Sequence, residues 1–195
     1  MPDDAAKLRV SRPSLERIFS TFGIPSAFVY ALSRYYLPAG RGYCDIYSGA
    51  ESIASELWYI LPVRMQVGCT DKPRCHITSN SGSNQMNPFH YLHLPDQAVD
   101  IRGSLIALSF RYSKFGGSTC MLAVNFIDGR WPKTVQEPEL RIKEVLGDSH
   151  EIGLKSDPFF IHLVYLFSAT RWWTNALNSI HDQLIAYVSM KGIRR

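Results

Sequence analysis

No stretch of this chain reaches the roughly 18 consecutive apolar residues that a membrane helix needs, so no part of it is expected to span a bilayer. An excess of one charge is missing too. Against 17 Asp and Glu stand 21 Lys and Arg, a net charge of +4, and the cations are scattered. Without a basic stripe there is no electrostatic footprint for nucleic acid, and Lys191, Arg194 and Arg195 read as a solvated end. Cysteine is sparse: Cys44, Cys69, Cys75 and Cys120 are preceded by the polar N-terminus MPDDAAKLRVSRPS, which has no apolar signal core. Reduced thiols in a cytoplasmic setting are the expectation. Catalytic signatures are also lacking. There is no Gly-x-Ser-x-Gly elbow, no His-Glu-x-x-His helix and no paired-carboxylate motif, so an enzyme is not expected and no catalytic residue is assigned. Gly40-Arg41-Gly42-Tyr43 has too few glycines for a phosphate cradle and reads as a turn.

What is present is apolar patterning in a chain of 195 residues, 12% of them aromatic, long enough to bury a core without disulfides or metal. Residues 14–23 form a short amphipathic helix closed by Gly23, and a second helix is expected near Ser26 to Tyr36. Glu56 to Val67 is β-prone, although Pro62 restricts it to an edge strand or two pieces. Residues 68–87 are rich in Ser, Asn, Gly and Pro and read as a long loop. Residues 104–112 and 119–127 are two nearly continuous apolar strands joined by a hairpin at 114–117, with both faces expected to be covered. Glu137-Pro138-Glu139 starts a further helix that ends before Gly147. The fold class that follows is α+β. A small, largely antiparallel sheet packs with helices, and one long stalk-like C-terminal helix ends the chain. Residues 1–12 are read as a flexible tail, 13–156 as the α+β domain and 157–190 as the long helix.

That helix carries the most information. Asp157 caps it and Pro158 fits its first turn. Phe159, Leu163, Leu166, Thr170, Trp173, Leu177, Ile180, Leu184 and Tyr187 repeat at alternating spacings of four and three, a heptad seam. The first half also carries Phe160, Val164 and Phe167 and is expected to bury itself against the domain, with Trp173 in the core. At ~1.5 Å per residue the helix outruns the width of such a domain, so its second half is expected to project. The candidate interaction residues are Trp173, Leu177, Ile180, Leu184 and Tyr187, offered to another copy or to another helix. His162, alone on the apolar helix, is expected to be buried and hydrogen-bonded.

One metal constellation can be assembled: Cys69, Cys75, His90 and His93, with five residues between the cysteines and two between the histidines. Structural zinc sites prefer other spacings. The competing function is therefore a soluble metal- or small-ligand-binding protein or enzyme using the 68–98 loop. A degenerate domain without activity is a third reading.

Two segments carry a family resemblance. NFIDGRWPKTVQEPELRIKEVL (Asn125–Leu146) and DPFFIHLVYLFSATRWWTNALNSIHDQLIAY (Asp157–Tyr187) resemble the cytoplasmic domain of fungal CorA-like proteins. In that family an α/β domain leads into a stalk helix and two membrane helices, forming pentameric divalent-cation channels, chiefly for magnesium. The resemblance covers Arg102 to Tyr187 and, loosely, the helical N-terminus. It implies a cytoplasmic domain acting in assembly or regulation of magnesium transport, with Mg2+ or another divalent cation the only cofactor. The Gly-Met-Asn pore signature and both membrane helices are absent, and residues 62–98 lack the family's pattern. Membrane association is thus expected only of a longer form that carries those helices.

Overall fold

The computed structural model describes residues 10–33, 40–68, 91–115, 117–126, 132–147, 157 and 159–192. Two short helices, α1 (Arg12–Phe22) and α2 (Ser26–Ser33), precede strands β1 (Gly40–Ser48), β2 (Glu51–Gly68), β3 (Tyr91–Leu94), β4 (Val99–Ser113) and β5 (Thr119–Asn125). Helices α3 (Pro132–Gly147) and α4 (Phe160–Gly192) follow. All pairings are antiparallel, in the order β1-β2-β4-β3, with β5 also on β4. The fold is α+β, a curled antiparallel sheet ending in a long helix.

The β2–β4 pair runs without a register break from Ala54↔Ser113 to Gly68↔Val99 and forms the spine of the sheet. Its two faces are covered by different helices. Val63, Met65 and Val67 with Ile106 and Leu108 pack under Tyr165, Ala169 and Trp172 of α4, with Ile142 of α3 alongside. Ile60, Leu105, Ala107 and Val124 pack on the other side against Phe28 and Ala31 of α2. Strand β4 is consequently buried at every position from Ser104 to Phe110, which is why its apolar run does not alternate. A third cluster joins Leu94 and Ile101 to Ala176, with Ile180 beside it.

Several elements differ from expectation. Helix α1 starts two residues sooner, at Arg12, because Ser11 accepts the Ser14 N–H, and it closes on Gly23 in the left-handed region (φ +60°). Residues 40–43 are not a turn but the start of β1, with Gly42 opposite Trp58. The two glycines serve packing: a Cβ on Gly42 would stand 2.6 Å from Cε2 of Trp58, whose indole lies across the strand. Pro62 neither splits β2 nor leaves a gap in it. Strand β1 begins opposite Ile60, so the backbone of Pro62 lies just past that pairing, where its carbonyl accepts the indole N–H of Trp173 at 3.0 Å. Helix α3 begins at Pro132, placing Pro138 inside it, fully buried.

The expected outrun of α4 is also corrected. Its 33 residues span about 50 Å at ~1.5 Å per residue, but the 15 residues of β4 span about 50 Å at ~3.3 Å per residue. The helix therefore finds support along most of its length. Ala176 and Ser179 are buried, and Gln183 exchanges hydrogen bonds with Asp96 through Nε2 to Oδ2 and from the Asp96 N–H to Oε1 (3.2 Å). Beyond Gln183 the large side chains Leu184, Ile185, Tyr187, Val188 and Met190 are exposed.

Candidate functional site

Helix α4 docks through a seam of His162, Tyr165, Ala169, Trp172, Ala176 and Ser179, all buried. Those positions also step by three and four, but one residue out of phase with the apolar heptad read from sequence. One residue is about 100° of helix rotation. The heptad thus lies on the flank of the helix, not beneath it. Leu163 (47% exposed), Leu166, Phe167, Leu177 and Leu184 (59%) all face outward, against the expectation that the first half would bury its large side chains. The physical reason is spacing: Ala169, Ala176 and Ser179 let the helix backbone come close to the sheet, and one large side chain per two turns, Trp172, fills the remaining gap. Trp172, rather than Trp173, is the core indole.

The candidate interaction residues divide. Trp173 bonds to the Pro62 carbonyl and Ile180 packs beside Ile101, so these two are partly committed to the domain. Leu177, Leu184 and Tyr187 are more than half exposed. Phe167 (67%), expected to be buried with the first half, and Val188 (68%), which the heptad left out, both widen the exposed stripe. Both fall beside the heptad on the side away from the sheet, and a wheel drawn with the small residues inward would have found them.

Two polar fixtures hold the helix in this rotation. Glu137 of α3 pairs with Arg171 and, at 3.3 Å, with Arg141, and accepts the Trp172 indole N–H through its other oxygen at 3.3 Å. At the N-terminal end, Asp157 accepts the Phe159 N–H at 2.8 Å, and Nδ1 of His162 meets the Tyr59 hydroxyl at 2.7 Å. Burial pushes the Tyr59 phenol upward and the His162 imidazole downward from their ordinary values, so both are neutral near pH 7. The bond can be donated by the Tyr59 O–H to an unprotonated Nδ1. In that tautomer Nε2 of His162 carries the imidazole proton, and it has no partner among the described residues.

Of the metal constellation, Cys69, Cys75 and His90 lie outside the described residues. His93 is engaged with the buried Asp100, Nδ1 to Oδ1 2.7 Å. Among the described residues no three His, Cys, Asp or Glu side chains gather in a metal-binding group. Cys120 is half-buried in β5 and Cys44 is exposed in β1, where its slight burial and the nearby Glu56 push the Cys44 thiol upward, away from the activated thiolate of a nucleophile. No described helix is long and apolar enough to cross a membrane.

No family model matches the chain, and comparison with curated proteins and with solved structures finds no match either.

Proposed function

We propose that this chain is a non-enzymatic assembly module whose α+β body presents the outer flank of α4 to a second helix, in another copy or in a fuller-length relative. The observation that carries the reading is the exposure of large apolar side chains along α4. Phe159, Leu163, Leu166, Phe167, Leu177, Leu184, Tyr187 and Val188 are each 42–68% exposed. At ~150–200 Å² per such side chain, that is on the order of 700–800 Å² of apolar surface. A monomer's largest apolar patch is usually about 300–600 Å², and a stable interface takes about 800 Å² from each partner. Heptad spacing suits the occupant to be another helix, packed knobs into holes. The likeness of Asn125–Leu146 and Asp157–Tyr187 to the CorA-like cytoplasmic domain supports assembly or regulation of a divalent-cation transport protein as the setting, with a cytoplasmic location.

Sedimentation velocity over a range of concentrations tests the reading. The wild-type chain is expected to associate, and Leu177→Asp with Leu184→Asp to leave a folded monomer, since both side chains are exposed. A chain monomeric at every concentration, or association untouched by the double substitution, overturns it.

A further inference from the structure

A half-open groove of about 650 Å³ lies between the β1–β2 edge and the first two turns of α4, within the range of small-molecule sites at ~300–1,000 Å³. Leu57, Leu61, Phe159 and Leu166 give it apolar walls. Its polar equipment is small and placed together. Arg41 lines the groove and stands opposite Tyr59 across the β1–β2 ladder, so the two side chains are neighbours on one face. Tyr59 in turn holds His162 through Nδ1, and the groove reaches both rings. The guanidinium of Arg41 is exposed and has no ion pair among the described residues. His162 is 6% exposed, and its Nε2, the protonated nitrogen when Tyr59 donates to Nδ1, is buried without a hydrogen-bond partner among the described residues. A buried donor left unpaired is destabilising, a penalty that an arriving acceptor oxygen removes.

We propose that this groove binds an amphipathic carboxylate, with its chain between Leu61 and Leu166 and its head held by Arg41 and the Nε2–H of His162. The chain needs a surface that excludes water, which the leucines and Phe159 form. The head needs one cation and one directed donor, and Arg41 and His162 both line the groove, each beside Tyr59. A neutral lipid would leave Arg41 unused, and a short polar anion would leave the apolar walls wet. Phe159 and Leu166 also belong to the exposed flank of α4, but binding here does not depend on association through Leu177 and Leu184.

The test is a fluorescence titration of the intact chain with cis-parinarate, a fluorescent long-chain carboxylate, displaced by dodecanoate or by 1-dodecanol. Saturable one-to-one binding is expected, with dodecanoate the stronger competitor by about tenfold or more. Arg41→Ala, at an exposed position, should weaken dodecanoate about tenfold and leave 1-dodecanol unchanged. His162→Phe should weaken dodecanoate by a similar factor, and Leu61→Trp, which fills the groove, should abolish displacement by either. Absence of saturable binding, equal competition by acid and alcohol, or indifference to Arg41→Ala overturns the proposal. Repeating the titration on Leu177→Asp with Leu184→Asp should return the wild-type affinity. Loss of binding there would place the site in an assembly and overturn it as a site of the single chain.

Discussion

Tyr59 and His162 stand 103 positions apart in the chain and share one hydrogen bond of 2.7 Å, the fixture that docks the start of α4 on β2. Around it the His162 ring meets Phe110 edge-on at 4.4 Å and Phe159 at 5.9 Å. The histidine is thus a neutral core residue whose second nitrogen has no hydrogen-bond partner among the described residues.

Stability should carry the signature of that neutral histidine. Burial lowers the pKa of His162 in the folded chain, so below the ordinary value of about 6.5 the unfolded chain takes up a proton that the folded chain refuses. This contribution is present in full above pH ~6.5 and is lost as the pH falls toward the folded value, at no more than about 1.4 kcal/mol per pH unit for one proton. Urea midpoints measured between pH 7.5 and 5 should fall less steeply for His162→Phe than for wild type. Parallel curves would show that His162 is not the group responsible.

The rotation of α4 makes opposite predictions for adjacent positions. Ala176 is 1% exposed, so Ala176→Leu should overpack the sheet contact at a cost of about 1–3 kcal/mol. Its neighbour Leu177 is 55% exposed, and Leu177→Ala should change monomer stability by no more than about 0.5 kcal/mol. Chemical denaturation of the two variants at low protein concentration separates them. The reverse ranking would put the heptad back against the sheet.

Trp172 and Trp173 should differ in the same manner. Trp172 is in the core, and Trp172→Ala is expected to cost about 3–5 kcal/mol. Trp173→Phe keeps a ring but removes the donor to the Pro62 carbonyl, a loss of about 0.5–1.5 kcal/mol. Thermal melts followed by far-UV circular dichroism will distinguish them.

Gly42 faces a different constraint. Its neighbour across the ladder is Trp58, and the indole occupies the space a side chain would need. Gly42→Val should destabilise the β1–β2 edge by about 1–3 kcal/mol, with much of the loss recovered in Gly42→Val with Trp58→Ala relative to Trp58→Ala alone. A double-mutant cycle showing no coupling would mean that the glycine is needed for another reason.

Local chemistry was enough to read much of the framework. The apolar runs at 104–112 and 119–127, the turn between them, the Gly23 stop and the Asp157 cap each follow from side-chain pattern and backbone preference within a few residues. The existence and length of α4 were legible for the same reason. What periodicity did not reveal was its phase. Two heptads one residue apart run through this helix, one made of large aliphatic side chains and one of Ala169, Trp172, Ala176 and Ser179. Hydrophobicity alone favours burying the first.

The sequence by itself determined that there would be a long amphipathic helix and an apolar antiparallel hairpin, because those depend on spacing along the chain. Only the tertiary structure decided which flank of the helix meets the sheet, that Pro62 finds its partner in Trp173, and that Arg41, Tyr59 and His162 share one groove. Each of these depends on how closely two surfaces approach, and a close approach favours small residues beneath the helix over the larger ones that a one-dimensional pattern selects.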